Sequence, residues 1–133
     1  ADMVRAVLEG ITLNLRVILD AFTAQGTQID AMRLIGGGAQ GRFWNQIMAD
    51  VYGMPVYRLA ILQEATSMGA ALAGGVGVGL YADFSLSETM NQVAETIDPN
   101  PAAQEVYAQI YPIFEATYHA LLPIYDMIGA IEP

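Results

Sequence analysis

The chain has no cysteine and no lysine, and only one histidine and one tryptophan. Without cysteine there is neither a disulfide framework nor a thiolate metal site. Without lysine there is no Walker A loop, whose lysine reaches the outer phosphates of a nucleotide. Positive charge is scarce: Arg5, Arg16, Arg33, Arg42 and Arg58 stand against 14 acidic residues, a formal net charge of −9. That balance opposes binding to a phosphate backbone, so no nucleic-acid partner is expected. His119, alone and without a carboxylate at metal-ligand spacing, does not make a metal site. No basic-then-apolar leader opens the chain, and the expectation is a soluble, cytoplasmic protein. One stretch tests that expectation. Ala65 to Ala82 carries no charge over 18 residues and holds Gly75-x-x-x-Gly79, a spacing that lets membrane helices approach closely. Its length is marginal for a span, its glycines and alanines are weakly hydrophobic, and no basic cluster flanks it. It reads as a small-residue helix pressed against a sheet, and no membrane partner is expected.

The sequence does hold enough apolar side chains for a core, 54% of 133 residues, a length that fits one domain. Asp2 to Ala24 reads as a helix. Val4, Val7, Leu8, Ile11, Leu15, Ile18, Leu19 and Phe22 recur at three- and four-residue spacings on one stripe, and Gly26 suits its exit. Ile29 to Ile35 reads as a buried strand and Gly41 to Tyr52 as a helix closed by Gly53. Pro55 to Leu59 is a second strand and Glu64 to Leu80 the small-residue helix. Ser85-x-x-Glu88 is a capping-box pattern opening a short helix to about Ala94. Asn100-Pro101 opens a long C-terminal helix, with Val106, Ile110, Phe114, Leu121 and Tyr125 on its stripe. Strands separated by helices predict an α/β fold with parallel pairing. Two strands are too few for such a sheet, so the chain reads as part of a larger one.

The most distinctive stretch is Leu34-Ile-Gly-Gly-Gly-Ala-Gln-Gly-Arg-Phe-Trp44. Glycines between a strand and a helix let backbone N–H groups reach a ligand, with the positive end of the helix dipole behind them. Gly36-x-Gly38-x-x-Gly41 also fits the dinucleotide-binding fingerprint. That motif belongs on a first strand and needs an acidic residue ending the next one, where Arg58 and Leu59 stand here. A tight strand-to-helix turn without any ligand is the plainer reading.

Three motifs in order bear on that choice. Gly36 to Ala39 is followed by Trp44, Ala49-Asp50 and Gly53-Met-Pro55-Val56. Glu64-Ala65 precedes Gly69-Ala-Ala-Leu-Ala-Gly74, and Asp2 to Gly10 forms the third. Together they span about residues 2 to 82 and resemble the C-terminal half of the FGGY carbohydrate kinases, most of all those acting on xylulose. The resemblance implies an actin- and hexokinase-like fold of two ribonuclease-H-like lobes. Residues 1–133 would be the C-terminal part of the second, nucleotide-binding lobe. It further implies phosphoryl transfer from ATP with Mg²⁺ to a ketopentose hydroxyl, the sugar, the catalytic aspartate and most of the metal's partners lying outside this chain.

Under that resemblance Gly37, Gly38 and Ala39 contact the adenosine and α-phosphate region through their backbone, and a Cβ at Gly37 or Gly38 clashes. Gln40 and Arg42 follow the turn. Arg42 departs from the family's small or amide residues; it stacks on adenine, meets a phosphate, or is a solvated surface residue. Trp44 reads as core rather than as a base-stacking group, Asn45 as a support of the turn, and Asp50 as structural. Glu64 and Asp83 are poor catalytic candidates. The row Tyr107, Tyr111, Phe114, Tyr118, Tyr125 reads as packing, with a docking face as the other option. A piece of a larger sheet leaves open edges and apolar surface, so self-association is expected. The alternative to a kinase part is a stand-alone module that binds a nucleotide or a protein partner without catalysis.

Overall fold

The structure is a computed structural model and describes residues 2–90 and 92–131. The chain starts with α1 (Asp2–Ala24). Its unbroken run of apolar residues at helical spacing forms the helix, and a left-handed Gly26 ends it. Then comes β1 (Met32–Leu34), a single 3₁₀ turn over Gly37–Gln40, α2 (Arg42–Tyr52) and β2 (Val56–Leu59). Strands β1 and β2 are parallel, Met32 opposite Val56 and Leu34 opposite Arg58. Helix α2 is the crossover between them. Gly53, at φ 69°, ends α2 in the left-handed conformation and returns its N–H to Ala49 O at 2.9 Å.

After β2 come α3 (Ala65–Gly77), α4 (Leu86–Met90), β3 (Val93–Ile97) and α5 (Pro101–Gly129). Strand β3 corrects two expectations. The short helix stops at Met90 rather than near Ala94, and the sheet is mixed, not parallel throughout. β3 runs antiparallel to β2, with Val56 opposite Ile97 and Arg58 opposite Glu95, in the order β1-β2-β3. Val93-Ala-Glu-Thr-Ile97 is rich in β-branched residues, which favours a strand over continuation of a helix. The predicted helix also crosses Asn91, which lies outside the described residues.

One face of the sheet is covered by α2, and α1 and α5 lie against α2 in turn. The core is Leu13, Leu19, Ile47, Met48, Ala49, Val51, Tyr52, Val56, Ile97, Tyr107 and Tyr111. Polar ties join the helices. Arg16 Nη1 on α1 donates to Val51 O near the end of α2 at 2.6 Å, and its guanidinium lies 4.4 Å from the centre of the Tyr111 ring. The buried Asp50 carboxylate accepts from Gln46 Nε2 at 2.8 Å and from the Asn100 N–H at 2.7 Å. Asn100 in turn caps α5, its Oδ1 accepting from Ala102 N–H at 3.0 Å.

Three packing expectations are corrected. On α1 the buried residues are Thr12, Leu13 and Leu19, while Val4, Val7, Ile11, Leu15, Ile18 and Phe22 are exposed. The apolar stripe is wider than the surface α2 offers to it. Helix α3 is not pressed on the sheet but packs chiefly on α4, because side chains this small fill little space between layers. On α5 the inward residues are Tyr107, Tyr111 and Phe114, while Val106, Ile110, Tyr118 and Tyr125 are exposed. Among the described residues no helix is long and apolar enough to cross a membrane.

Candidate functional site

The turn after β1 is built from the inside outwards. Gly36 sits at φ 80° and ψ −176°, a conformation open in practice only to glycine, and its N–H donates to Leu62 O at 2.8 Å. This bond ties the turn to the loop after β2. Ala39 is buried; its N–H reaches Gly36 O at 3.2 Å and its carbonyl accepts from Asn45 Nδ2 at 2.9 Å. Asn45 thus supports the turn from inside α2, and its Oδ1 is buried with no partner among the described residues.

Trp44 lies under the turn. Its indole N–H donates to Thr12 Oγ1 at 2.9 Å, and that hydroxyl donates onward to Leu8 O at 2.7 Å. A Cβ built on Gly38 would stand 2.7 Å from the Trp44 ring, whereas one on Gly37 would meet nothing within 4 Å. The two glycines therefore differ. Gly38 is required by the chain's own packing. Gly37 leaves open space, and the expected clash there has no partner among the described residues. Both are exposed, and among the described residues neither N–H has an acceptor. Gly41 then starts α2 without a side-chain cap, leaving the first amides of the helix open as well.

Gln40 and Arg42 are exposed at the rim. The Arg42 guanidinium is bound to Glu95 Oε1 at 2.6 Å, and Glu95 Oε2 accepts from Arg58 Nε at 3.0 Å. The Arg58 hydrogen bond, reinforced by the charges of both arginines, holds the Glu95 carboxyl below its ordinary range. Sequence reasoning missed Glu95 because it assigned that segment no strand. The β-branched content of residues 93–97 (Val93, Thr96, Ile97) was the available signal. The five sequence-predicted residues thus lie together, but unequally: Gly37, Gly38, Gln40 and Arg42 outward, Ala39 inward. Asp50 is occupied by the start of α5, as a structural carboxylate is. Among the described residues no three carboxylate, histidine or cysteine groups converge.

The dinucleotide reading fails on topology and charge. The sheet turns antiparallel after β2, and the end of β2 carries an arginine tied to Glu95 rather than a free acid. Comparison with known proteins points elsewhere. Residues 1–78 match the model of the FGGY family of carbohydrate kinases, C-terminal domain. The xylulose kinase of Staphylococcus epidermidis is 37% identical over 119 residues, 89% of this chain and 24% of the relative. The autoinducer-2 kinase of Photorhabdus laumondii is 35% identical over 128 residues, 95% of this chain and 24% of the relative. Among solved structures, xylulose kinase from Rhodospirillum rubrum superposes with a TM-score of 0.77 at 31% identity, over 92% of this chain and 25% of that one. The chain thus spans about a quarter of the length of the curated relatives it matches. With residues 1–78 matching the family's C-terminal domain and relatives above 30% identical over most of its length, this chain belongs to the FGGY family of carbohydrate kinases.

Proposed function

We propose that these residues are the C-terminal part of the nucleotide-binding lobe of an ATP-dependent sugar kinase. The observation that carries the reading is the outward pair of unpaired amides at Gly37 and Gly38, ahead of the uncapped start of α2. Donors so placed suit an anionic oxygen of a nucleotide. The reaction is transfer of the ATP γ-phosphoryl group to a sugar hydroxyl. D-Xylulose is the first substrate to test, and the substrates of autoinducer-2 kinases are the second, since relatives of both names match at similar identity. The catalytic base, the sugar contacts and most Mg²⁺ partners are assigned to the remainder of the kinase, so residues 1–133 alone are expected to be inactive. Dependence on ATP puts the reaction in the cytoplasm.

The isolated chain is also proposed to self-associate. It exposes 9016 Å², where a compact monomer of its mass exposes about 6,800 Å². An apolar groove of about 280 Å³ runs beside the free edge of β1, between α1 and α2, lined by Leu15, Ile18, Phe22, Met32, Leu34 and Met48 among others. Sedimentation that returns a clean monomer at high concentration removes this part of the proposal.

Gly37→Val in the whole kinase tests the nucleotide reading. The new side chain meets no atom of the described residues within 4 Å at Cβ. The KM for ATP is expected to rise about tenfold, equivalent to about 1.4 kcal/mol. The KM for sugar and the melting temperature should stay in place. An unchanged ATP constant in a folded variant overturns the reading.

A further inference from the structure

Two of the chain's five arginines converge on one carboxylate at the rim of the glycine turn. Leu34, Arg58 and Glu95 stand in one row across the sheet, at the carboxyl ends of the parallel strands β1 and β2. Ligands of open α/β sheets settle beyond those ends. Arg42 lies one residue past Gly41, and its side chain is 80% exposed, yet Glu95 fixes it at 2.6 Å. Glu95 is itself fixed from the other side by Arg58 at 3.0 Å. The trio carries one net positive charge in a chain whose total is −9. A guanidinium has five N–H donors, so Arg42 keeps donors for a second partner while Glu95 holds it. An exposed ion pair adds little to stability. What this one achieves is placement: an arginine already ordered loses less freedom on meeting a ligand.

We propose that Glu95 is a positioning residue for the nucleotide: it holds the Arg42 guanidinium beside the Gly37–Gly38 amides, where Arg42 receives a phosphate oxygen. This rests on reading the turn as the nucleotide seat. Arg42 then acts on the phosphate and not on the base, and Glu95 acts only through Arg42.

The test is calorimetric titration of the whole kinase with ADP and with adenosine, alongside ATP kinetics. Arg42→Met and Glu95→Gln are each expected to weaken ADP about five- to tenfold. They should raise the KM for ATP with kcat held, and leave adenosine affinity and melting temperature unchanged. Glu95→Gln added to Arg42→Met should cost nothing more, since both act by one route. Glu95→Asp, which keeps the charge, should recover part of the affinity. Three results overturn the proposal: ADP affinity unmoved in both variants, adenosine weakened as much as ADP, or effects that add in the double variant. Gly37→Val separates this from the underlying reading. If that variant alone weakens ADP, the turn stays as the seat and Glu95 loses its role; if all three variants leave ADP unchanged, both fall.

Discussion

Helices α2 and α3 each follow a strand of the same parallel pair, and they are close in length, yet they sit in the molecule differently. Of the 11 residues of α2, seven are buried, although the helix carries an arginine and an aspartate. Of the 13 residues of α3, none of them charged, Leu72 and Gly75 are buried. The more uniformly apolar helix is the less buried one. Burial here follows side-chain size and polar attachment. Ile47, Met48 and Val51 fill the layer between sheet and helices. Asp50 and Val51 O, with Arg16 and Asn100 as partners, tie α2 to both neighbours. Helix α3 has neither bulk nor polar ties of this kind.

Truncating one buried side chain gives the largest contrast. Ile47→Ala is expected to cost about 2–5 kcal/mol by transfer and cavity terms. Met68→Ala, half-buried on α3, should cost about 1 kcal/mol or less. Urea denaturation followed by circular dichroism checks both, and equal costs would break the comparison. Next, Asp50→Ala strands the Asn100 N–H and leaves Gln46 Nε2 only its bond to Asp98 O, for roughly 1–3 kcal/mol. Asp50→Asn keeps an acceptor and should lose less. A glycine pair then sharpens the contrast in sign. Gly38→Ala drives a methyl against Trp44 and is expected to destabilise by about 1–3 kcal/mol. Gly69→Ala on α3 meets nothing within 4 Å and should stabilise the helix by roughly 0.5–1 kcal/mol. A loss at Gly69 would mean that α3 is pressed more closely than described.

The smallest effect is with pH. At Glu9, burial pushes the carboxyl up, but hydrogen bonds from Tyr107 and Arg5 outweigh it and leave it below 4.5. Carboxyls depressed in the folded state stabilise it fully above their unfolded values, and this contribution is lost as the pH falls through the folded ones. Stability should therefore be level near neutrality and decline in acid below about pH 4.5. Glu9→Gln should make that decline shallower in a titration of melting temperature.

Much of this was legible from residue pattern. Helix α1, the β1–α2–β2 unit, the Gly53 stop and the Asn100-Pro101 start of α5 all follow from local chemistry that tertiary packing does not override. What was not legible depended on partners distant in sequence. Val93 to Ile97 becomes a strand by pairing with β2, and only that pairing brings Glu95 to Arg42. The inward side of α1 is chosen by α2, not by the helix's own periodicity. At the site, the run of three glycines was visible but their division of labour was not. Gly36 serves the backbone at its positive φ, Gly38 serves Trp44, and Gly37 is held by neither demand.

Trp44 gives the chain a spectroscopic consequence. It is the sole indole, held on Thr12 by its N–H and covered at its six-membered ring by Gly38. Every photon of tryptophan emission from this chain therefore originates at the underside of the glycine turn. A change in what lies on Gly37 and Gly38 that shifts their backbone alters the indole's hydrogen bond or its cover. The emission maximum then moves without any added label, so the packing that makes Gly38 intolerant of a side chain also makes the turn optically self-reporting.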